Sequence, residues 1–310
     1  MESSTPQLAA DVRQVWQRFV DVYEPLRPDL YRYCRYLTRS AWEAEDLVQD
    51  ALGRAFVTLA RTFRPPANPK AWLFRVASNL WIDETRRVRE VPGAVPERAV
   101  DGDVGLDRDA AETLIGRLAP QERAAVVLKD VFDFTLAEIA ESLATTVGAV
   151  KAALHRGRGK LQDATAEGAP PAAQVPTRAV LDAFCAAFND RDIDRLTALL
   201  LDTASADLVG VAVDPDPAAM RDPETGTIAG FLERSPRAEV RTAHGVPVVL
   251  LWYADDGGEV VRNVALVDTE GDRIRHLRHY YFAPDVLAEV CRELGVAFRT
   301  NGYRYQEDDR

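Results

Sequence analysis

The chain has 310 residues, 47% of them apolar and 28% charged, with a formal net charge of −11. That is a globular protein of about two domains; the composition excludes a disordered chain. There is no run of about 18 apolar residues and no apolar stretch near the N-terminus, so neither a membrane span nor a secretory signal is expected, and the expected location is the cytoplasm. Cys34, Cys185 and Cys291 are isolated and odd in number, which excludes a disulfide framework and a cysteine zinc site. The charge is uneven. Residues 1–90 hold 14 basic and 12 acidic side chains, whereas residues 163–310 hold 15 and 26. Such asymmetry points to a nucleic-acid module joined to a second, acidic one.

In chain order, Val12, Val15, Trp16, Phe19, Val20 and Tyr23 recur at the helical period and predict a first helix ending near Pro25. Leu30, Tyr33, Cys34 and Leu37 mark a second. Ser40 and Glu43 form a capping box that opens a third, with Leu47, Val48, Ala51, Leu52, Ala55, Phe56 and Leu59 facing inward. Asn68 caps a fourth, with Pro69 at its first position and Leu73, Val76, Ala77 and Leu80 as its apolar stripe. Its opposite face carries Arg75, Asn79, Asp83 and Arg86. Residues 91–111, rich in Pro, Gly and Asp without a period, read as a linker.

Residues 112–163 predict three more helices. Pro120 starts one that runs to about Lys129. Thr135 and Glu138 form a second capping box, followed by Leu136, Ile139, Ala140 and Leu143 at helical spacing. After a turn at Ala144-Thr145, Thr146 caps a helix with Val147, Val150, Leu154 and Leu161 inward. Two short helices across such a turn are a helix-turn-helix. From Val147 to Leu161 there are four Lys/Arg and no acid, and the small residues Gly148, Ala149, Ala152 and Ala153 permit close approach to base edges. Residues 164–176 form a second, Ala/Pro-rich linker. Beyond it, Val180, Leu181, Phe184, Ala187 and Phe188 share one helix face, and a short helix over 192–201 follows. Strands over 246–254, 259–269 and 272–282 are joined by tight Gly-containing turns, the pattern of an antiparallel meander. A helix over 284–294 and an extended tail over 297–305 end the reading.

The segments SAWEAEDLVQDALGRAF (residues 40–56) and NPKAWLFRVASNLWIDETRR (68–87) resemble region 2 of the extracytoplasmic-function (ECF) sigma factors of RNA polymerase. LAPQERAAVVLKDVFDFTLAEIAESLATTVGAVKAALHRGRGKL (118–161) resembles their region 4, in the same order and with a linker between. Residues 177–305 resemble, in pattern, the SnoaL-like branch of the NTF2-like cone. The resemblance implies a multidomain chain: all-α region 2 (1–90), linker (91–111), all-α region 4 (112–163), linker (164–176), and an α+β NTF2-like domain (177–310). It implies binding to core RNA polymerase, at the β′ coiled coil and the β flap, and to promoter DNA, without a membrane partner.

Residue by residue, the resemblance assigns Glu45, Asp46, Gln49 and Asp50 to polymerase binding. Asn79, Asp83, Arg86 and Arg87 fall to the −10 element. Thr146, Lys151, His155, Arg156 and Arg158 fall to the −35 element. Asn and Arg are chemically suited to base edges and phosphates. Two readings stay open for Asp83, which contacts DNA or orients an Arg, and for Trp72 and Trp81, which stack on bases or belong to the core. His276 and His279 lie on opposite faces of one strand, so no acid/base constellation is expected, and no catalytic, cofactor or metal site. The C-terminal domain is expected to regulate the sigma activity and to have room for a small ligand. The alternative is a ligand-responsive helix-turn-helix regulator.

Overall fold

The computed structural model describes residues 5–62, 65–90, 115, 117–163, 178–222, 226–234 and 236–303; both expected linkers lie outside them. The described residues fall into two units, one before and one after the second linker.

The first unit is helical: α1 (Thr5–Tyr23), a short 3-10 turn (Glu24–Leu26), α2 (Arg27–Thr38), α3 (Ala41–Arg61), α4 (Pro69–Glu90), α5 (Pro120–Asp130), α6 (Leu136–Ser142) and α7 (Val147–Asp163). The side-chain caps explain why the helices begin where they do. Ser40 accepts the Glu43 N–H, Asn68 accepts the Ala71 N–H, and Thr135 accepts the Glu138 N–H while the Glu138 carboxylate accepts the Thr135 N–H. Each such cap contributes about 1 kcal/mol. Helices α2, α3 and α4 bury Leu30, Tyr33, Leu37, Val48, Ala51, Leu73 and Ala77. Helix α1 reaches α3 by Trp16 and Phe19, whose rings lie 5.1 and 5.5 Å from Phe56.

The sequence separates α1–α4 from α5–α7, but the structure packs them into one unit. The turn after α5 carries Phe132 and Phe134 onto Phe74, at ring distances of 5.2 and 5.5 Å, and Phe132 meets Tyr33 at 5.9 Å. Arg123 of α5 donates to the Leu37 carbonyl, and its guanidinium lies 5.1 Å from the Trp81 ring. Phe74 and Ser78 are therefore fully buried, although the apolar stripe expected of α4 passes beside them. A stripe marks one neighbour, and α4 has two: α2 and α3 on one side, α5 and α6 on the other.

The second unit opens with α8 (Arg178–Asn189) and α9 (Ile193–Ala198). Then come β1 (Leu200–Leu208), β2 (Ala212–Asp214), α10 (Pro217–Met220), α11 (Thr227–Glu233), β3 (Arg237–Ala243), β4 (Val246–Asp255), β5 (Gly258–Glu270), β6 (Arg273–His279) and α12 (Pro284–Glu293). The sheet order is β2-β1-β6-β5-β4-β3, with β1 and β6 parallel and the other neighbours antiparallel. Gly271, at φ 63, makes the tight turn between β5 and β6 without a Cβ penalty. One sheet face, with Ala204, Ala206, Val249, Leu251, Ala265, Val267 and Leu277, is buried in a core with Leu181, Phe184 and Phe188 of α8. By the two-residue alternation of strands, Val248, Leu250 and Val264 face the other side, where α12 packs on β5. This is the α+β arrangement expected of an NTF2-like cone. The meander was expected; β1, β2, β3, α10 and α11 were not, and Leu200 and Leu201 are strand where helix was expected. Past the end of β6 the tail joins the sheet: the Val261 N–H donates to the Ala297 carbonyl and the Arg299 N–H to the Val261 carbonyl.

Candidate functional site

The acidic residues of α3 divide into two kinds. Glu45 has no exposed side-chain surface and is ion-paired with Arg27, itself 6% exposed, and Glu45 accepts from Gln49 Nε2 at 2.7 Å. This corrects the expectation that Glu45 belongs to an exposed partner-binding patch. Its place at i+4 from Ala41, with Val48 and Leu52 following at +3 and +7, puts it on the inner stripe of α3. Asp46 and Gln49 are half-buried and Asp50 is exposed. Partial burial, with Glu84 of α4 next, pushes the Asp50 carboxyl above its ordinary range, against the opposing pull of Arg54. Glu84 thus extends the acidic surface across two helices, a neighbour that spacing within one helix does not reveal.

On α4, Asn79, Asp83, Arg86 and Arg87 are all exposed. Asp83 accepts from Arg86 at 3.1 Å, and Arg87 lies 3.7 Å from Glu84. Of the two readings of Asp83, the structure contains the ion pair to an arginine. Trp72 lies 6.0 Å from Tyr23 and Trp81 beneath Arg123, both half-buried.

In the helix-turn-helix, Thr146 accepts the Ala149 N–H at 3.1 Å and so caps α7. Thr146, Val147, Gly148, Ala149, Lys151, Ala152 and His155 form its exposed N-terminal half. Val147, expected inward, is 38% exposed. Farther along, the basic residues are held by acids of α5. Glu122, its side chain 6% exposed, accepts from Arg156 Nε at 3.0 Å and Lys160 Nζ at 2.6 Å, and Arg158 is paired with Asp130. Burial alone raises the Glu122 carboxyl, but the Lys160, Arg156 and Ala119 N–H hydrogen bonds outweigh it and hold the group below its ordinary range. Asp130 holds the Arg158 guanidinium above its ordinary range. Lys151 and His155 are without a protein partner among the described residues, so the residues singled out on α7 split into a free N-terminal pair and a tethered C-terminal pair.

Residues 22–90 match the family model Sigma-70 region 2, and residues 108–161 match Sigma-70, region 4. The chain is 30% identical over 163 residues to the ECF RNA polymerase sigma factor SigW of Bacillus subtilis, covering 46% of this chain and 87% of that relative. The chain belongs to the ECF RNA polymerase sigma factors. To SigL of Mycobacterium tuberculosis it is 35% identical over 146 residues, covering 43% of this chain and 81% of that one. To SigG of the same organism it is 30% identical over 212 residues, and it spans 57% of SigG's length. Among solved structures, the crystal structure of the ECF sigma factor SigJ of M. tuberculosis shares 23% identity and covers 84% of this chain and 95% of that one, with a TM-score of 0.34.

In the second unit, His276 and His279 have separate surroundings. His276 Nε2 lies 3.2 Å from Asp207 and its Nδ1 2.8 Å from Ser205 Oγ, both on β1. His279 is buried; Asn263 Nδ2 donates to its Nδ1 at 2.9 Å and Phe231 lies 4.6 Å from its ring. Burial, helped by His276, pushes the His279 imidazole down to about 3, so it is neutral at physiological pH. Among the described residues no group of three or more His, Cys, Asp or Glu is placed to hold a metal, and no helix is long and apolar enough to cross a membrane.

Proposed function

We propose that this cytoplasmic chain is a promoter-specificity subunit: it binds core RNA polymerase and directs initiation, with the C-terminal unit regulating that activity and catalysing nothing. The observation that carries the reading is the outward display, in a member of this family, of three separate polar sets. Asp46, Gln49 and Asp50 serve the β′ coiled coil; Asn79, Asp83, Arg86 and Arg87 serve the −10 element; and α7, with α5 and α6, serves the β flap and the −35 element. Within α7, Lys151 and His155 approach bases while Thr146 and the tethered Arg156 and Arg158 meet phosphates, which position the helix without reading sequence. Glu45 acts behind this surface by fixing α3 through Arg27.

The packing of α5–α7 on α2 and α4 sets a condition on this function. The two promoter elements lie about 25 base pairs apart, about 85 Å of duplex. Helix α7 is two helix-packing steps from α4, by way of α6, or about 20 Å. The contact made by Arg123, Phe132 and Phe134 must therefore open before both elements are engaged. In run-off transcription with purified core polymerase, the chain is expected to confer promoter-dependent initiation and to co-elute with core, and Asp50→Arg to abolish both. Failure of the wild-type chain to co-elute overturns the proposal. Tight promoter binding without polymerase, with a steep salt dependence, would instead support the ligand-responsive regulator.

A further inference from the structure

On the sheet face away from the core, β1 and β6 bring a serine, a histidine and an aspartate together in series. Ala204, Ala206 and Leu277 point into the core, so by strand alternation Ser205, Asp207, His276 and Arg278 share the opposite face. His276 Nδ1 lies 2.8 Å from Ser205 Oγ, and its Nε2 lies 3.2 Å from Asp207 Oδ2. The expectation from sequence set His276 only against His279 on its own strand and found no acid/base constellation. The structure corrects this, because both partners come from β1.

The pairing of β1 with β6 explains the meeting. Leu200 pairs with Ile274 and Ser205 with His276, so β1 runs four residues where β6 runs one. Irregularities of this kind re-aim side chains and concentrate beside functional sites. Beyond it Asp207 pairs with Arg278, and His276 is also opposite Asp268 on β5. The group is within reach of solvent: the His276 and Asp207 side chains are 19% and 30% exposed, and Ser205 is half-buried.

The chemistry follows from what each group can give. A carboxylate only accepts, so Asp207 favours the imidazole tautomer with its proton on Nε2. Nδ1 is then an acceptor, and the Ser205 hydroxyl donates to it. A hydroxyl bonded to a base that a third group orients is the arrangement of an activated nucleophile. Two carboxylates, Asp207 and Asp268, against the one Arg278 guanidinium disfavour an anionic phosphoryl donor and leave an uncharged carbonyl favoured. Ser205 lies within a paired strand and not at a helix start, where free N–H groups would hold an oxyanion. The site therefore suits a donor that is already activated, and one transfer rather than turnover.

We infer that Ser205 is an acyl-acceptor site, taking the acyl group of an uncharged activated ester or thioester in a single transfer. The bond from Ser205 Oγ to the acyl carbon forms as the donor's carbon–oxygen or carbon–sulfur bond breaks. The serine proton passes to His276 Nδ1 and from there to the departing alkoxide or thiolate. His276 is the general base, and Asp207 is a positioning residue that holds the ring.

The test is incubation of the full chain with 4-nitrophenyl acetate or with S-acetyl-N-acetylcysteamine, an uncharged thioester, followed by peptide mass spectrometry. Ser205 is expected to gain one acetyl group at least tenfold faster than any other serine of the same chain, a comparison that needs no variant. His276→Gln is expected to slow this labelling at least a hundredfold, the share of a general base. Asp207→Asn is expected to slow it at least tenfold, and Asp207→Glu to restore part of the rate. Thermal melts of the three variants close to that of the wild type separate lost reactivity from lost folding. The inference is overturned if Ser205 carries no acetyl group after either donor, if it labels no faster than the other serines, or if His276→Gln labels at the wild-type rate. The readout is independent of polymerase, so its failure leaves the sigma proposal standing.

Discussion

Replacing Glu45 separates a residue that builds the polymerase-binding surface from residues that form it. Its carboxylate has no solvent exposure and faces an arginine that is itself 6% exposed. Glu45→Ala takes the carboxylate of this ion pair away from the buried Arg27 guanidinium, and breaking a buried pair costs about 3–5 kcal/mol. At about 2–4 °C per kcal/mol for a unit of this size, the expected loss is roughly 6–20 °C in melting temperature. Asp50→Arg changes an exposed position, and a surface substitution of that kind stays within about 0.5 kcal/mol, or about 2 °C. Four of the five tryptophans lie in the first unit, so the thermal transition followed by tryptophan fluorescence reports mainly on it. The expected pattern is an early-melting Glu45→Ala protein and an Asp50→Arg protein that melts normally but does not co-elute with core polymerase. A Glu45→Ala protein that melts like the wild type and still fails to bind polymerase would refute the reasoning, because Glu45 would then be a contact residue after all.

Glu122→Ala should destabilise the helix-turn-helix by about 1–3 kcal/mol, as charged hydrogen bonds are lost while Arg156 and Lys160 regain water. Because the Glu122 carboxyl sits below its ordinary range, its contribution is complete above about pH 4.3 and is lost as pH falls below that, so acid melts of wild type and variant should converge. His279 is also lowered, to about 3, but as a base: the unfolded chain takes up its proton below about pH 6.5 and the folded one does not until about 3. Stability therefore falls by about 1.4 kcal/mol per pH unit across that window, and His279→Gln should remove this component from a pH series of denaturant melts. Lys151→Ala should weaken −35 binding by the holoenzyme, as measured on short duplexes. An unchanged affinity would place the reading face elsewhere on α7.

Most of the first unit can be read from the sequence, because its helices have sharp periods and its caps are residues with one local purpose. Ser40, Asn68 and Thr135 each announce a helix start within three residues. What escapes is whatever depends on a partner far along the chain. Glu45 reads as surface by its charge, although its spacing from Ala41, Val48 and Leu52 puts it inside; Arg27, 18 residues earlier, is what makes that burial tolerable. Arg156 and Arg158 read as free cations until α5 brings Glu122 and Asp130 beside them. In the second unit β1 is hidden for a different reason. Its core residues Ala204 and Ala206 are small and alternate with Thr203, Ser205 and Asp207, so the strand has one β-branched residue, Thr203, no aromatic one and little of the pattern that signals a strand. In the β4–β5 ladder Leu251 pairs with Asn263 and Trp252 with Val261, and the bulge this makes at Arg262 is invisible because a register is a property of two strands.

The parallel pairing of β1 with β6 also sets a timetable for synthesis. Ser205 and His276, which meet across that pair, are 71 residues apart, so at about 5–20 residues per second β1 waits about 4–14 s for its neighbour. Through that interval one edge of β1 stays open with only β2 on the other side, while the helices of the first unit, already made, can close their mostly local contacts. The polar side chains that hide β1 from sequence reading, Asp202, Ser205 and Asp207, are then its protection: they make the waiting edge a poor template for another chain.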